Sequence, residues 1–498
     1  MRPTVYTSRS RDSYPARLLR AFLSALIPGL GQMMAGVRRR GILLLAIFVI
    51  VTVAAIVILT RGTDALVDLA LQPKVLLALL FADIAIMLVR LFAVIDAWLT
   101  AKRGSLKPAR PSGGRMALTG VGLALILAFT IAPHAVAGYY TLVSHNLLTT
   151  VFTPTGKTTT TLKSTGSSGG NTTTPGSSGS VGSDSTSSTA SSETLNWGSD
   201  GRMTVLLIGT DAGFGRTGAR ADSMNIASID IKTGRVAMFG LPRNTGNTPL
   251  GPKTAKALGK TTYNDLLNSL YTTASNHPEI ATDGGDPGAE AVMETASIIL
   301  GVKIDYYVVV DMMGLVDMVN ALGGVDINLK TALHITYAPL NAGETKKSYV
   351  FNVGVNHLDG LKALAYARDR SDSDDYVRMG RQRCVIMAML YQNSVSSLTL
   401  HFPAIASALE KSVRTNIPLN ALADVIKLRS KVKTGNMITV GFTPPDWVSG
   451  YVNGTNVLDF PKVRAAVQTI LTTPDSWIAA HPAVTTTGGA SDCWKAAN

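Results

Sequence analysis

The sequence has little cysteine or histidine, and it lacks the motifs in which these residues usually carry out chemistry. Its 498 residues include two cysteines and seven histidines, with no CxxC and no HExxH pattern. A zinc site of either type is therefore not expected. The isolated His277, His334, His357 and His401 have no serine or cysteine elbow nearby, so surface or packing roles are predicted for them.

The two cysteines leave one structural question open. Cys384 and Cys493 both fall in the part of the chain that is predicted below to lie outside the membrane. A disulfide between the C-terminal tail and the core is compatible with that location, and so is a pair of free thiols.

Negative charge is scarce in the first two fifths of the chain. Residues 1–199 carry 18 Lys and Arg against 7 Asp and Glu, whereas residues 200–498 carry 28 against 26. The net charge of +13 thus comes mainly from stretches beside apolar segments, where basic residues determine membrane topology. This distribution argues against nucleic-acid binding.

The N-terminal part has no cleavable signal peptide, because no small-residue cleavage site follows a short apolar core. Residues 1–20 are predicted to be a basic cytoplasmic tail, and a membrane domain follows at 21–143. Three apolar runs, about 41–59, 75–98 and 116–143, reach the roughly 20 residues that a membrane span needs. The segment 21–36 is interrupted by Pro28, Gly29 and Gly31, so a re-entrant, interfacial or tight-hairpin structure is predicted for it.

The basic residues beside these runs predict the orientation. Residues 38–40 and the loop 101–115 are rich in positive charge, whereas the loop 61–74 is nearly neutral. The positive-inside rule therefore places the N-terminus and the loop 101–115 in the cytoplasm. Three spans then put everything after residue 143 outside a cell membrane that the chain crosses several times.

The second apolar run contains Asp83, Arg90 and Asp96. Ionisable residues inside a membrane are candidates for function. The alternative is local pairing or packing against the other spans.

A linker and one large folded domain complete the predicted organisation. Residues 144–196 are mostly Ser, Thr, Gly and Asn, a composition that cannot bury a core and predicts a flexible extracytoplasmic linker. A catalytic domain is predicted over 197–480 and a C-terminal tail over 481–498. Within the domain, apolar runs predict strands at 205–208, 226–231, 236–241, 306–310 and 325–329. Helices are predicted at 263–274, 289–300, 313–322, 382–392 and 398–413, so the fold class is α/β.

Polar residues gather at the predicted strand ends. Asp211 follows the first strand, Arg220 and Asp222 precede the second, and Arg243 follows the third. The edge of an open α/β sheet is where ligands bind. Carboxylates and arginines together there suit a metal ion beside a phosphorylated substrate.

A second polar stretch lies at 354–382. It carries four arginines among four aspartates, either as a self-neutralising charged loop or as a set of guanidiniums placed to bind phosphate. The arginines are Arg368, Arg370, Arg378 and Arg381, and the aspartates are Asp369, Asp372, Asp374 and Asp375.

The order of several segments resembles the LytR-CpsA-Psr (LCP) family. The segments GTD, ARADSM, LPRNT, LNSLY, LGVKIDYYVVVDMMGLVDMVNALGGVDIN and LDGLKALAYARDRSDSDDYVRMGRQ occur in the family's order over roughly residues 200–395. The resemblance implies an α-β-α sandwich around a mixed central sheet, here preceded by an all-α transmembrane anchor. The Ala- and Thr-rich composition and the RQRC variant suggest an actinobacterial cell wall.

The resemblance also implies an activity. Members transfer a phosphorylated glycopolymer from a polyprenyl-pyrophosphate lipid to a peptidoglycan hydroxyl, with Mg²⁺. The expected partners are this lipid-linked glycopolymer, peptidoglycan and the membrane. A pyrophosphatase acting on the same lipid and a non-catalytic scaffold or regulator of envelope assembly remain alternatives, and the glycopolymer is not specified.

The family's site residues carry over by position. Asp211 and Asp222 correspond to the metal ligands, and Arg220, Asp222 and Asp375 are assigned to catalysis. The residues assigned to pyrophosphate binding are Arg243, Arg368, Arg370, Arg378, Arg381, Gln382, Asn268 and Tyr271. Two positions depart from the pattern, because Asn244 replaces the Asp of the PRD motif and Leu267 replaces a Lys.

Overall fold

The computed structural model describes residues 13–60, 68–101, 113–152, 200–211, 219–282, 284–337, 346–369, 375–392, 395–432, 437–452 and 454–481. The chain divides into two compact units, Met1–Thr150 and Val151–Asn498. Each unit is described by itself.

The first unit is helical throughout its described residues. Three of its helices contain stretches long and apolar enough to cross a membrane, namely Arg38–Ile58, Pro73–Leu99 and Ala117–Thr150. Because most of their large apolar side chains are exposed in the isolated unit, this unit has the character of a membrane anchor. The helices are α1 (Tyr14–Leu26), α2 (Leu30–Met34), α3 (Arg38–Leu59), α4 (Pro73–Leu99) and α5 (Gly113–Thr150).

The segment 21–36 forms the end of α1 and all of α2, joined by a tight turn. Ser13 caps α1 by accepting a hydrogen bond from the Ala16 N–H at 3.3 Å, so the helix begins inside the stretch predicted to be a polar tail. Gly29 adopts φ +104°, and a Cβ there would lie 2.2 Å from the carbonyl oxygen of Gly41. Only glycine fits this turn.

The ionisable residues of α4 have partners within the unit. Asp83 lies 2.7 Å from the His134 Nδ1 atom on α5. Arg90 donates to a carbonyl of α1 at 2.6 Å, and Asp96 accepts from the Gln32 amide at 3.2 Å. These contacts agree with the local-pairing interpretation.

The second unit is built on a six-stranded mixed sheet with the order β11-β6-β1-β2-β3-β12. Pairing is parallel between β1 and β6 and between β3 and β12, and β2 and β11 run the other way. Four strands therefore end at one side, called here the carboxyl edge. The six strands are β1 (Arg202–Thr210), β2 (Ala221–Asp230), β3 (Val236–Gly240), β6 (Tyr306–Val310), β11 (Val413–Thr415) and β12 (Met437–Gly441). Smaller two-stranded sheets use β4 (Thr248–Pro249), β5 (Thr262–Tyr263), β7 (Val325–Leu329), β8 (Leu333–Tyr337), β9 (Lys347–Phe351), β10 (Gly354–Leu358), β13 (Val448–Val452) and β14 (Thr455–Leu458).

Helices cover both faces of this sheet, which confirms the predicted α-β-α sandwich. One face packs Leu206, Ile226 and Phe239 against α7, α8 and α14 in the largest apolar core. On the other face, Met238 packs against Met387 of α11, and a separate core lies against α13. The helices are α6 (Pro252–Leu258), α7 (Leu267–Ala274), α8 (Pro287–Leu300), α9 (Met312–Ala321), α10 (Gly360–Arg368), α11 (Asp375–Tyr391), α12 (Val395–Ser412), α13 (Leu419–Lys431), α14 (Phe460–Thr472) and α15 (Pro474–Ala480).

Two helix starts differ from the sequence prediction by four residues or more. Helix α7 begins at Leu267 rather than at 263, because Tyr263 pairs with β4. Helix α11 begins at Asp375 rather than at 382, so the DxxRxxRQ residues lie on a helix. Cys384 of α11 is buried and disulfide-bonded, and Cys493 lies outside the described residues.

Candidate functional site

The main chain of Arg220 joins the two predicted metal-binding aspartates. Its N–H donates to Asp211 Oδ1 at 2.7 Å, and its carbonyl accepts from the N–H groups of Asp211 and Asp222 at 3.0 Å each. Asp211 directly follows β1, and Asp222 stands near the start of β2, which pairs with β1. Both residues therefore lie at the carboxyl edge, with the exposed Arg220 between them.

Asp222 is the centre of the site because three different elements direct donors at it. Arg243, just after β3, donates from Nη1 to Asp222 Oδ1 at 2.6 Å. Asn268 of α7 donates to the same oxygen at 3.3 Å. Arg378 of α11 places Nη1 3.8 Å from Asp222 Oδ2, and its Nη2 donates to the main-chain carbonyl at 3.2 Å. Residues far apart in the sequence thus converge on one carboxylate.

These donors determine the charge of Asp222. Burial by itself raises its pKa, but Arg243, Arg378 and Asn268 outweigh that effect, and the pKa lies below the ordinary value of 3.8. Asp222 is therefore a carboxylate at neutral pH. A carboxylate with so low a pKa is a weak proton acceptor, which favours the role of permanent ligand over that of general base.

Arg381 is placed differently from the other predicted phosphate-binding arginines. Its Nη1 binds the carboxylate of Asp369 and donates to the Asp369 carbonyl at 3.2 Å. The guanidinium also lies 5.7 Å from the Tyr366 ring centroid. Arg381 and Asp369 are 8% and 7% exposed. The structure thus gives Arg381 a buried ion pair that joins α11 to the end of α10, and its role in pyrophosphate binding stays a prediction.

Tyr271 is also directed away from Asp222. Its hydroxyl donates to Asp286 Oδ2 at 2.5 Å and accepts from Arg414 at 3.0 Å. Burial, followed by the charge of Asp286, raises the pKa of Tyr271 above its ordinary value. This network was not predicted, and it anchors the helix that carries Asn268.

The remaining predicted residues divide into three groups. Arg368 ends α10 and is half-buried, and Gln382 Oε1 is buried without a hydrogen-bond partner among the described residues. Asp375 begins α11, but its side chain and the whole of Arg370 lie outside what the structure describes. At the two departures from the family pattern, Leu267 is fully buried in the apolar core and Asn244 is half-buried.

The chemistry of the site suits a divalent cation of the magnesium type. Mg²⁺ commonly uses one or two carboxylates and completes its shell with water and phosphate oxygens. Asp211 and Asp222 supply two such groups at one edge. Within the described part of the chain, no group of three or more His, Cys, Asp or Glu is placed to hold a metal by itself. A cation here would therefore need oxygens from a substrate or from water.

Comparison with known proteins identifies the family of the chain. The family model of the LytR_cpsA_psr family matches residues 170–470, which is more than half of the chain. The chain belongs to the LytR_cpsA_psr family. The matched range contains every residue that contacts Asp222.

Two named relatives come from bacteria. Biofilm regulatory protein A of Streptococcus mutans is 29% identical over 227 residues, which cover 44% of this chain and 51% of that protein. The polyisoprenyl-teichoic acid–peptidoglycan teichoic acid transferase TagV of Bacillus subtilis is 28% identical over 283 residues, covering 55% and 66%. The chain therefore spans about half to two thirds of the length of these relatives.

Two solved structures align with about half of this chain and with most of their own length. Protein gbs0355 of Streptococcus agalactiae aligns over 55% of this chain and 88% of its own, with 25% identity and a TM-score of 0.43. TagV of B. subtilis aligns over 54% and 97%, with 25% identity and a TM-score of 0.40.

Proposed function

We propose that this protein transfers a phosphorylated glycopolymer from a polyprenyl-pyrophosphate carrier to a hydroxyl of peptidoglycan. The observation that carries the proposal is the convergence of Arg243, Arg378 and Asn268 on Asp222 at the carboxyl edge. Its second support is a relative named as a polyisoprenyl-teichoic acid–peptidoglycan teichoic acid transferase, which belongs to the same family.

The reaction exchanges the phosphoanhydride bond of the pyrophosphate for a phosphate ester bond to the acceptor. The acceptor hydroxyl oxygen attacks the phosphorus that carries the polymer, and the bridging P–O bond to the second phosphate breaks. Polyprenyl monophosphate leaves, the polymer becomes joined to peptidoglycan through a phosphodiester, and the hydroxyl proton passes to a base. Charge neutralisation and alignment supply most of the catalysis in such a displacement.

The chain's own residues divide this work. Arg220, Arg243 and Arg378, together with Arg368 and Arg370, bind the pyrophosphate oxygens. Asp211 and Asp222 hold Mg²⁺, which neutralises phosphate charge when bound. Asn268 keeps Asp222 oriented. Because the pKa of Asp222 is lowered, we assign the proton-accepting role to Asp375 instead.

The first unit is proposed to be a multi-pass anchor in the cell membrane. Basic residues 38–40 precede the first of the three candidate spans, and the second and third spans are separated by a basic loop. With that loop and the N-terminus in the cytoplasm, the second unit works outside, where peptidoglycan is found. Cysteine labelling of whole cells tests this orientation: single cysteines introduced at residue 105 and at residue 230 should be protected and labelled, respectively.

A turnover assay on the full chain tests the reaction. The protein, in lipid nanodiscs, is given a synthetic polyprenyl-pyrophosphate-linked sugar and Mg²⁺, with and without peptidoglycan fragments. Sugar attached to peptidoglycan is the expected product. Release of sugar phosphate with no acceptor product would instead favour a pyrophosphatase, and binding without either product would favour a scaffold.

A further inference from the structure

Arg383 is a buried arginine with no counter-charge among the described residues. It is 8% exposed, and its Nε and Nη1 atoms are buried without a hydrogen-bond partner. Burial lowers its pKa to about 10, and no carboxylate acts to raise it again. The neighbouring Arg381, in contrast, is buried together with Asp369. A buried charge left without a partner is costly, so an arginine at such a position needs an explanation.

The helical spacing shows that Arg383 faces the sheet. Met379 and Met387 lie four residues before and after it, and therefore on the same side of α11. Met387 packs against Met238 of β3, and the Met379 Cε atom lies 3.2 Å from the position that a Cβ on Gly240 would take. A core-facing position between two methionines would ordinarily be apolar.

Two glycines and an asparagine surround the guanidinium. Arg383 Nη1 lies 2.5 Å from the Cβ position of Gly240 and 3.0 Å from that of Gly441, so a side chain at Gly240 would displace the guanidinium and one at Gly441 would crowd it. Asn225 Oδ1 lies 3.5 Å from the Gly240 Cβ position and is itself buried without a partner. Two unsatisfied polar groups thus flank the same strand end. We call this set of Arg383, Asn225, Gly240 and Gly441 the Arg383 niche.

The niche adjoins the Asp222 site. Gly240 and Gly441 end β3 and β12 at the carboxyl edge, and Gly240 stands three residues before Arg243. Arg378 precedes Arg383 by five residues on α11, a separation of about 7.5 Å along a helix. Asn225 follows Asp222 by three residues on β2. The niche and the Asp222 site are therefore built on the same elements, namely β2, the end of β3 and α11.

We propose that the Arg383 niche is an anion subsite, in which Arg383 binds a phosphate oxygen of the pyrophosphate lipid. This inference rests on the proposed function, because it assigns one more contact to the same substrate. Binding supplies the counter-charge that the isolated chain lacks, and the planar guanidinium offers two donors to one phosphate. The Asn225 amide can present either its oxygen or its nitrogen to the same group.

The proposal predicts opposite effects on the free and the bound protein. Arg383→Met removes the buried charge and places a third methionine between Met379 and Met387 on the side of α11 that faces the sheet. The ligand-free, full-length variant in nanodiscs should therefore have a Tm equal to or above that of the wild type. Its Kd for geranylgeranyl pyrophosphate with Mg²⁺, measured by the ligand-induced shift in Tm and by titration calorimetry, should rise roughly tenfold to a hundredfold, as expected for loss of a charged hydrogen bond. Arg464→Met, on α14 at the opposite face, is the matched control and should bind like the wild type.

The possible results separate the alternatives. A Met variant with a lower Tm and an unchanged Kd would make Arg383 a structural residue and overturn the proposal. Should this variant fail to fold, Arg383→Lys keeps the charge without the planar fork, and a wild-type Kd for it would overturn the proposal too. Raised Kd values would support the niche even if the wild type showed no transfer, whereas failure of the wild type to bind the lipid would overturn both proposals.

Discussion

Replacing Arg381 by methionine should destabilise the fold rather than selectively abolish substrate binding. The Arg381–Asp369 pair is almost entirely enclosed, with side-chain exposures of 9% and 4%. Removing one partner breaks a buried ion pair, which costs about 3–5 kcal/mol. At roughly 2–4 °C per kcal/mol for a large domain, the Tm of the second unit should fall by about 6–20 °C.

Thermal unfolding of the full chain in nanodiscs, followed by tryptophan fluorescence, measures this effect. Trp447 and Trp477 lie in the large core of the second unit and Trp98 lies in the first unit, so the measurement uses a Trp98→Phe background for all variants. The double variant Arg381→Met with Asp369→Leu should recover most of the loss, because no buried charge is then left unpaired. If Arg381→Met kept the wild-type Tm and lost only lipid binding, the reasoning would be refuted and the sequence-based assignment restored.

Three further predictions concern other parts of the molecule. Arg243→Gln should lower the transfer rate by about a hundredfold or more, because a preorganised charge that binds phosphate is lost. The Tm of this variant should stay near that of the wild type. Equal turnover of the two proteins would show that Arg243 does not act in the site. The pKa of Asp222 is lower in the folded protein than its ordinary value of 3.8. The ionised Asp222 therefore stabilises the fold above pH 3.8, and this stabilisation is lost as the pH falls through the folded-state pKa. Urea unfolding across acidic pH should accordingly show a flatter profile for Asp222→Asn, and parallel profiles would contradict the assigned shift. In the first unit, a double-mutant cycle of Asp83→Asn and His134→Gln, measured by unfolding in SDS, should give a coupling of about 0.5–2 kcal/mol, and additive effects would mean that the pair does not form.

The sequence predicted the elements that carry a clear local signal. Strands β6 and β7 have the predicted bounds because β6 is a short apolar run and β7 alternates apolar and polar residues. The β2–β3 hairpin follows from its turn, in which Gly234 adopts φ +71°. The gathering of Asp211, Asp222 and Arg243 at strand ends was equally readable, since strand ends are set by the same signals.

The partners of the arginines on α11 were not readable in this way. Spacing along a helix states which side chains share a face, but it does not state what lies opposite. Arg378, Arg381 and Arg383 are five residues apart at most, yet one lies against Asp222, one binds Asp369 and one faces Gly240. On sequence alone, Arg378 and Arg381 have the same predicted role and Arg383 has none, and only tertiary packing distinguishes the three. The charged first turn of α11 also has no apolar periodicity, which is why its start was placed seven residues late.

The strand order of the central sheet has a consequence for how the second unit acquires its structure. Strand β12 pairs with β3 across about two hundred intervening residues, and β11 pairs with β6 across about a hundred. Such distant pairings form slowly, and until β12 arrives the apolar β3 is an unprotected edge strand open to pairing with other chains. A chain in synthesis that does not yet extend to residue 441 therefore cannot complete the carboxyl edge. Shortened or stalled chains should consequently aggregate rather than retain partial activity.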